Sequence, residues 1–315
     1  MMRYRSIVER HPNGRPRVAT RLALSGALVF GAAAGVGVLT LSSGAGATTA
    51  APRLSLMRQN GASTVVSQHR LSGGQAVVVL RQGDVTSTFA GPIGSTLSTT
   101  HTSHEAEASV TSPNTKTAGH VKFESARTVY EDALAVGFTK TEALNILRSA
   151  HVSLSQVVPD SILASPCANV SGGGGSSKSC TVETGIQTPA NGDWYLGNQI
   201  STTGQDDGFS ELDILSGWTS YPSGNTTVEW NPQSYTSEGN CKTVTWSLGF
   251  DGIGISESGS VCPSAEEPTS GDNGGKWVGC DGAPEGAPAV NVDHSPAGTS
   301  DAVTANVKMG WALGC

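Results

Sequence analysis

Residues 241–262 read CKTVTWSLGFDGIGISESGSVC. This stretch constrains the fold more than any other. Asp251-Gly252 is a two-residue signal for a type I′ turn, whose twist matches the strands it joins. The turn sets Phe250 opposite Ile253, Leu248 opposite Ile255, Trp246 opposite Glu257 and Cys241 opposite Cys262. Counted outward from the turn, the cysteine pair falls at a non-hydrogen-bonded position. There Cα atoms lie about 4.5 Å apart, within reach of a disulfide. One face of the hairpin carries Val244, Trp246, Leu248, Phe250, Ile253 and Ile255. The other carries Thr243, Thr245, Ser247, Ser256, Ser258 and Ser260. Period-two alternation of this kind predicts a half-buried antiparallel hairpin.

All six cysteines lie in the second half of the chain: Cys167, Cys180, Cys241, Cys262, Cys280 and Cys315. An even set in an exported chain reads as disulfides. Besides Cys241–Cys262, the spacing suggests Cys167–Cys180 around SGGGGSSKS and Cys280–Cys315 at the C-terminus. The N-terminus predicts the export. Residues 1–21 hold six arginines and one glutamate, and residues 22–52 hold no charge. The apolar run Leu22–Leu41 leads to Ala45-Gly46-Ala47, a small-x-small site. Residues 1–47 therefore read as a secretory signal peptide, with retention as a membrane anchor the alternative. The expected location is secreted or extracellular, including cell-wall-associated, with no membrane contact after cleavage. The whole chain carries −7 and residues 1–21 carry +5, so residues 22–315 carry −12. An acidic product repels phosphate backbones, which argues against nucleic-acid binding.

Residues 48–122 read as a Ser/Thr-rich flexible region, with a β-hairpin or short meander at 62–90 and a linker over 91–121. Over 123–162 the periodicity switches. Ala126, Val129, Tyr130, Ala133 and Leu134 fall at helical spacing after a capping Ser125, and Gly137 stops the run. Thr139-Lys140-Thr141-Glu142 is a capping box that opens a second helix. Residues 163–315 hold all six tryptophans, with turn residues every 8–12 positions. The expected fold is mainly β: a disulfide-stapled antiparallel sandwich or barrel, preceded by a short helical hairpin.

GDNGG at 271–275 sits one letter from the GDSGG of chymotrypsin-like proteases. Asn273 stands where the nucleophile would be, and an amide cannot be deprotonated to attack a carbonyl. The segment reads as a turn before Trp277. Asp293-His294 lacks a nucleophile elbow. His101 and His104 read as linker residues without the third ligand a zinc site needs. No catalytic constellation emerges. Asp206, Asp207, Glu211 and Asp213 form an acidic cluster that would suit Ca²⁺ as the one candidate ion, without EF-hand spacing. Trp194, Tyr195, Trp218 and Tyr221 lie beside turns and are the candidate aromatic surface for stacking on sugars. The expected function is a secreted binding module without catalysis, for an extracellular glycan, a cell-wall component or a protein partner. Two alternatives stand beside it. One is a glycosidase-like hydrolase using the carboxylates near 206–213. The other is an interaction protein whose helical hairpin exposes an apolar stripe.

Overall fold

Strand-forming alternation begins well before the tryptophan-rich half. In the computed structural model the N-terminal strands are β1 (Arg58–Asn60), β2 (Thr64–Arg70), β3 (Gln75–Gln82), β4 (Val85–Pro92), β5 (Thr96–His101), β6 (Glu105–Thr111), β7 (Lys116–Thr117) and β8 (His120–Val121). Two helices come next, α1 (Ala126–Ala135) and α2 (Lys140–Ser149). After them lie β9 (Ile162–Ala164), β10 (Cys167–Gly172), β11 (Gly175–Gln187), β12 (Trp194–Asp206), β13 (Glu211–Ser220), β14 (Thr226–Asn231) and β15 (Tyr235–Ser237). The chain closes with β16 (Lys242–Phe250), β17 (Ile253–Val261), β18 (Ser264–Pro268), β19 (Gly274–Val278), β20 (Glu285–Gly286), β21 (Ala289–Ser295) and β22 (Thr304–Ala312). The structure describes residues 56–117, 120–121, 123–149, 162–187, 191–207, 211–222, 224–232, 235–237, 241–250, 253–261, 264–268, 273–279 and 285–312.

Two large sheets pack face to face. One runs β1-β5-β6-β22-β13-β19-β18-β15, and the other β14-β21-β12-β11-β10-β4-β3-β2, which β20 beside β12 and β9 beside β11 bring to ten strands. Neither closes into a barrel, and the architecture is a β-sandwich. Between the sheets, Val78, Leu80 and Phe89 meet Leu97, Val110, Leu215, Trp277 and Met309. Burying each such large side chain contributes about 1.5–3 kcal/mol.

The region read as flexible is part of this sandwich. Pro52–Cys315 form one compact unit. Strands β1, β5 and β6 belong to one sheet, and β2, β3 and β4 to the other. Residues 64–92 form the meander that the alternation suggested. Residues 91–121, read as linker, instead contain the β5–β6 hairpin, with Leu97 opposite Val110 and Thr99 opposite Ala108. Small residues misled the reading: Ala106 and Ala108 face the core, and their low hydropathy disguises a regular alternation. Thr102 closes the turn by accepting from the Glu105 amide at 3.1 Å. His101 lies on β5, 3.3 Å from Asp84.

The helical hairpin forms as its capping signals require. Ser125 Oγ accepts from the Thr128 amide at 3.2 Å. Thr139 Oγ1 accepts from the Glu142 amide at 3.2 Å, while Glu142 Oε2 accepts from the Thr139 amide at 2.6 Å. This is the reciprocal capping box. Ala126, Val129, Ala133, Ala143, Ile146 and Leu147 pack on Val77, Ala90, Cys167, Cys180 and Val182. The apolar stripe is thus buried on the outer face of the ten-stranded sheet, which removes the stripe-exposing reading. The helices end at Ser149, and Ile162 already belongs to β9.

The β16–β17 hairpin has the register read from its turn: Phe250 opposite Ile253, Leu248 opposite Ile255 and Trp246 opposite Glu257. The turn residues themselves lie outside the described residues. The ladder runs to Lys242 opposite Val261. Cys241, one step further, is disulfide-bonded, and Cys262, Cys280 and Cys315 lie outside the described residues. Cys167 and Cys180 are bonded to each other, with Cα atoms 4.2 Å apart. They face each other across β10 and β11, so the SGGGGSSKS loop is a hairpin whose strand pairing brings the sulfurs together.

The bond closes a separation of 13 residues, for which chain entropy gives roughly 3 kcal/mol. The double variant Cys167→Ala/Cys180→Ala is expected to lose about 2–3 kcal/mol in urea unfolding. A loss below about 1 kcal/mol would show that the strand pairing alone already closes this hairpin.

Candidate functional site

The outer face of the ten-stranded sheet carries two structures side by side. The helical hairpin covers β10, β4 and part of β11. The β16–β17 hairpin covers β21 and part of β12, with Ile255, Trp246 and Leu248 packed on Val290, Val292 and Tyr195. Between them the sheet is left open, and the gap is a cleft of about 290 Å³.

Its floor is the outward-facing row of two neighbouring strands: Ser176 and Lys178 from β11, and Ser201, Thr203 and Gln205 from β12. One wall is Phe138, Glu142, Asn145 and Ile146. The other is Glu257, Ser258, Gly259 and Ser260 of β17. A second cavity of about 460 Å³ shares Asn145, Ser258, Gly259 and Ser260 and adds Arg148, Ser149 and Thr243. The two form one groove along α2 and β17.

Lys178 ties the helical wall to the floor. Its Nζ donates to the Gly137 carbonyl at 3.0 Å and to Glu142 Oε2 at 3.2 Å, and it sits 4.8 Å above the Phe138 ring. Glu142 is partly buried, which raises its pKa. The Thr139 amide and hydroxyl and the Lys178 ammonium outweigh this and hold its carboxyl below the ordinary value.

Glu257 has the opposite environment. It lies on the apolar face of its hairpin, 2% exposed. Ser201 Oγ donates to its Oε1 at 2.7 Å. Its Oε2 has no hydrogen bond among the described residues. Burial pushes its pKa up to about 8, against the pull of the Ser201 hydroxyl and the Ser258 amide. At neutral pH this side chain is a carboxylic acid, with a donor and an acceptor to offer. Sequence reasoning missed it, although the predicted register had already placed a glutamate opposite Trp246 on an apolar face.

The residues singled out from the sequence do not converge on this cleft. Trp194 is buried against Leu163 and Leu196, with Tyr221 at the edge of that cluster. Tyr195 points to the opposite side of β12 from Trp194 and leans on the His294 ring, centroids 5.3 Å apart. Trp218 is half-buried on β13, in the opposite sheet. The four aromatic residues therefore form no single platform. The Tyr221 hydroxyl belongs to a polar layer inside the sandwich. It accepts from Asn198 Nδ2 at 2.9 Å and donates to Glu183 Oε1 at 3.3 Å. Asn198 also donates to Asp293 Oδ2 at 3.1 Å, and Thr227 Oγ1 donates to Asp293 Oδ1 at 2.7 Å. Burial raises Asp293 to about 6 in spite of these bonds.

Asp206 ends β12, and Asp207 comes after it, exposed. Glu211 begins β13, and Asp213 sits at a bulge in that strand. The two strands belong to different sheets. Among the described residues no three His, Cys, Asp or Glu side chains gather to hold a metal ion. Of GDNGG, Gly271 and Asp272 lie outside the described residues. Asn273 bends onto β13, where the Thr219 amide donates to its carbonyl at 3.0 Å. Gly274 and Gly275 are strand rather than turn. A Cβ on Gly274 would overlap the Gly217 carbonyl oxygen, so glycine is what lets β19 lie against β13.

No protein-family model, curated protein or solved structure matches the chain. The functional reading therefore rests on the cleft.

Glu257 also sets a pH test. Its carboxyl rises from an ordinary 4.5 to about 8 on folding, so between these values the folded state binds the extra proton. Stability from this group is complete below about pH 4.5 and falls as pH rises toward 8. Relative to Glu257→Gln, the wild type is expected to lose up to about 1.4 kcal/mol per pH unit across that window. Urea unfolding of both proteins at several pH values measures this, and parallel curves would refute it.

Proposed function

We propose that this protein is an exported binding protein that holds a neutral, hydroxyl-rich ligand, an extracellular or cell-wall glycan, in the cleft between the two hairpins. Export is supported by the basic-then-apolar N-terminus with its small-x-small site, and by a disulfide of the kind formed in oxidising compartments. Among the described residues no helix is long and apolar enough to cross a membrane.

The observation that carries the ligand class is the neutral Glu257 at the edge of a cleft lined by hydroxyls and amides. Ser176, Ser201, Thr203, Ser258 and Ser260 offer hydroxyls, Asn145 and Gln205 offer amides, and Phe138 and Ile146 offer apolar surface. Sugars present alternating hydroxyls around an apolar ring face, which such a lining complements. The Lys178 charge is already matched by Glu142. The groove continues past Asn145, which suits a chain rather than a single ring.

The test is retention of the oxidised, full-length exported chain on insoluble polysaccharides and purified cell wall, with and without Ca²⁺. Asn145 and Gln205 are exposed, so their replacement by alanine spares the fold. Asn145→Ala/Gln205→Ala is expected to weaken retention by at least about tenfold, the worth of one or two lost hydrogen bonds. Trp218→Ala should leave it unchanged. Retention that ignores the cleft variant, or no retention on any of these materials, would overturn the proposal.

A further inference from the structure

The cleft holds two carboxyl groups on opposite walls, Glu142 at the start of α2 and Glu257 on β17. They are held differently. The Thr139 amide and Lys178 both bond Glu142 through Oε2, and the Thr139 hydroxyl bonds the same carboxylate, which locks its orientation. Glu257 is anchored through Oε1 by Ser201, and its Oε2, also buried, has no hydrogen bond among the described residues. A binding site for hydroxyls needs neither an isolated acid nor a fixed carboxylate facing it. Cleavage of a glycosidic bond needs both.

We infer that the cleft hydrolyses the glycan it binds, with Glu257 as the acid and Glu142 as the carboxylate across from it. This rests on the glycan-binding reading above and moves the hydrolase alternative from residues 206–213 to this pair. Glu257 gives its proton to the glycosidic oxygen as the bond from the anomeric carbon to that oxygen breaks. Water adds to the anomeric carbon, and its proton passes to Glu142. One water is consumed, one alcohol and one new reducing end form, and a proton returns from Glu142 to Glu257 through solvent. The opposed environments fit this division of labour. Burial keeps Glu257 protonated, and the Thr139 and Lys178 contacts prevail over burial to keep Glu142 ionised. Among the described residues, the charged groups lining the cleft besides Glu257 are Glu142, Arg148 and Lys178. Lys178 is paired with Glu142, and Arg148 donates to Asn145 Oδ1 at 2.6 Å.

The experiment incubates the oxidised full chain with purified peptidoglycan and with soluble cello-, xylo- and chito-oligosaccharides. Retention and new reducing ends are monitored together across pH. The wild type is expected to bind at least one of them and to release reducing ends, with activity falling above about pH 8 as Glu257 ionises. Glu257→Gln keeps a neutral donor and acceptor but has no acidic proton to give, so it should cleave at least about 100-fold more slowly. Glu142→Gln preserves the capping box, which accepts Gln at this position, and should also cleave at least about 100-fold more slowly. Wild-type retention without new reducing ends would overturn the hydrolytic inference and leave the binding reading standing. So would Glu257→Gln cleaving as fast as the wild type. Neither retention nor cleavage would overturn both.

Discussion

The pairing of β11 with β12 is the interaction on which the other parts depend. Each strand is 13 residues long, and they stay in register from Gly175 opposite Asp206 to Gln187 opposite Trp194. Alternation gives this ladder two functional faces. Inward, Ser179, Thr202 and Asn198 face the second sheet. Outward, Cys180 and Val182 seat the helices, while Lys178, Ser201 and Thr203 floor the cleft. A one-residue slip would put the floor into the sandwich and the inner hydroxyls under the helices. The disulfide pins the neighbouring register, that of β10 against β11, because Cys180 is bonded to the Cys167 that faces it.

The inner layer is unusually polar for a sandwich core. Thr219 donates to Asn291, and Asn198, Asn291 and Thr227 all donate to Asp293. A satisfied buried network of this kind specifies one mutual placement of strands, since any other would leave its members unpaired. Asp132, Glu257 and Asp293 are all buried, and burial raises all three carboxyl pKa values. Each raised acid favours the folded state more strongly at lower pH. These three groups weight stability toward the acid side, where they carry no charge to desolvate, while Glu142, held below its ordinary value, weights it the other way.

Local chemistry was legible in the sequence wherever a turn or cap fixes it. Asp251-Gly252 with the alternation around it gave the β16–β17 register pair by pair. Ser125 and the Thr139–Glu142 box gave both helix starts. What stayed hidden was long-range. Strands β5 and β6 present Thr99, Ala106 and Ala108 to the core beside Leu97 and Val110, and no local pattern shows that Val307 and Met309 lie opposite Ala108 and Ala106. The cleft draws on residues 138–146, 176–178, 201–205 and 257–260, and only the tertiary fold brings them together. Trp194 and Tyr221 misled for the converse reason. Their place beside turns suggested exposure, but β12 and the end of β13 carry them into a buried cluster.

The geometry of Glu257 depends on how closely its hairpin lies on the sheet, and two glycines set that distance. A Cβ on Gly286 would overlap the Ser260 carbonyl oxygen, and one on Gly259 would come within 2.8 Å of the Pro288 ring. At both points backbone or a rigid ring stands where a side chain would have to go, so the hairpin would have to lift. Lifting it would carry Glu257 away from Ser201 and open its buried carboxyl to water. Hydration would remove the desolvation that keeps the group neutral. The acid in the cleft is thus a consequence of backbone approach at 259–260 and 286–288 as much as of the Ser201 hydroxyl that holds it. Its protonation is a property of the seated hairpin as a whole rather than of one side chain's neighbours.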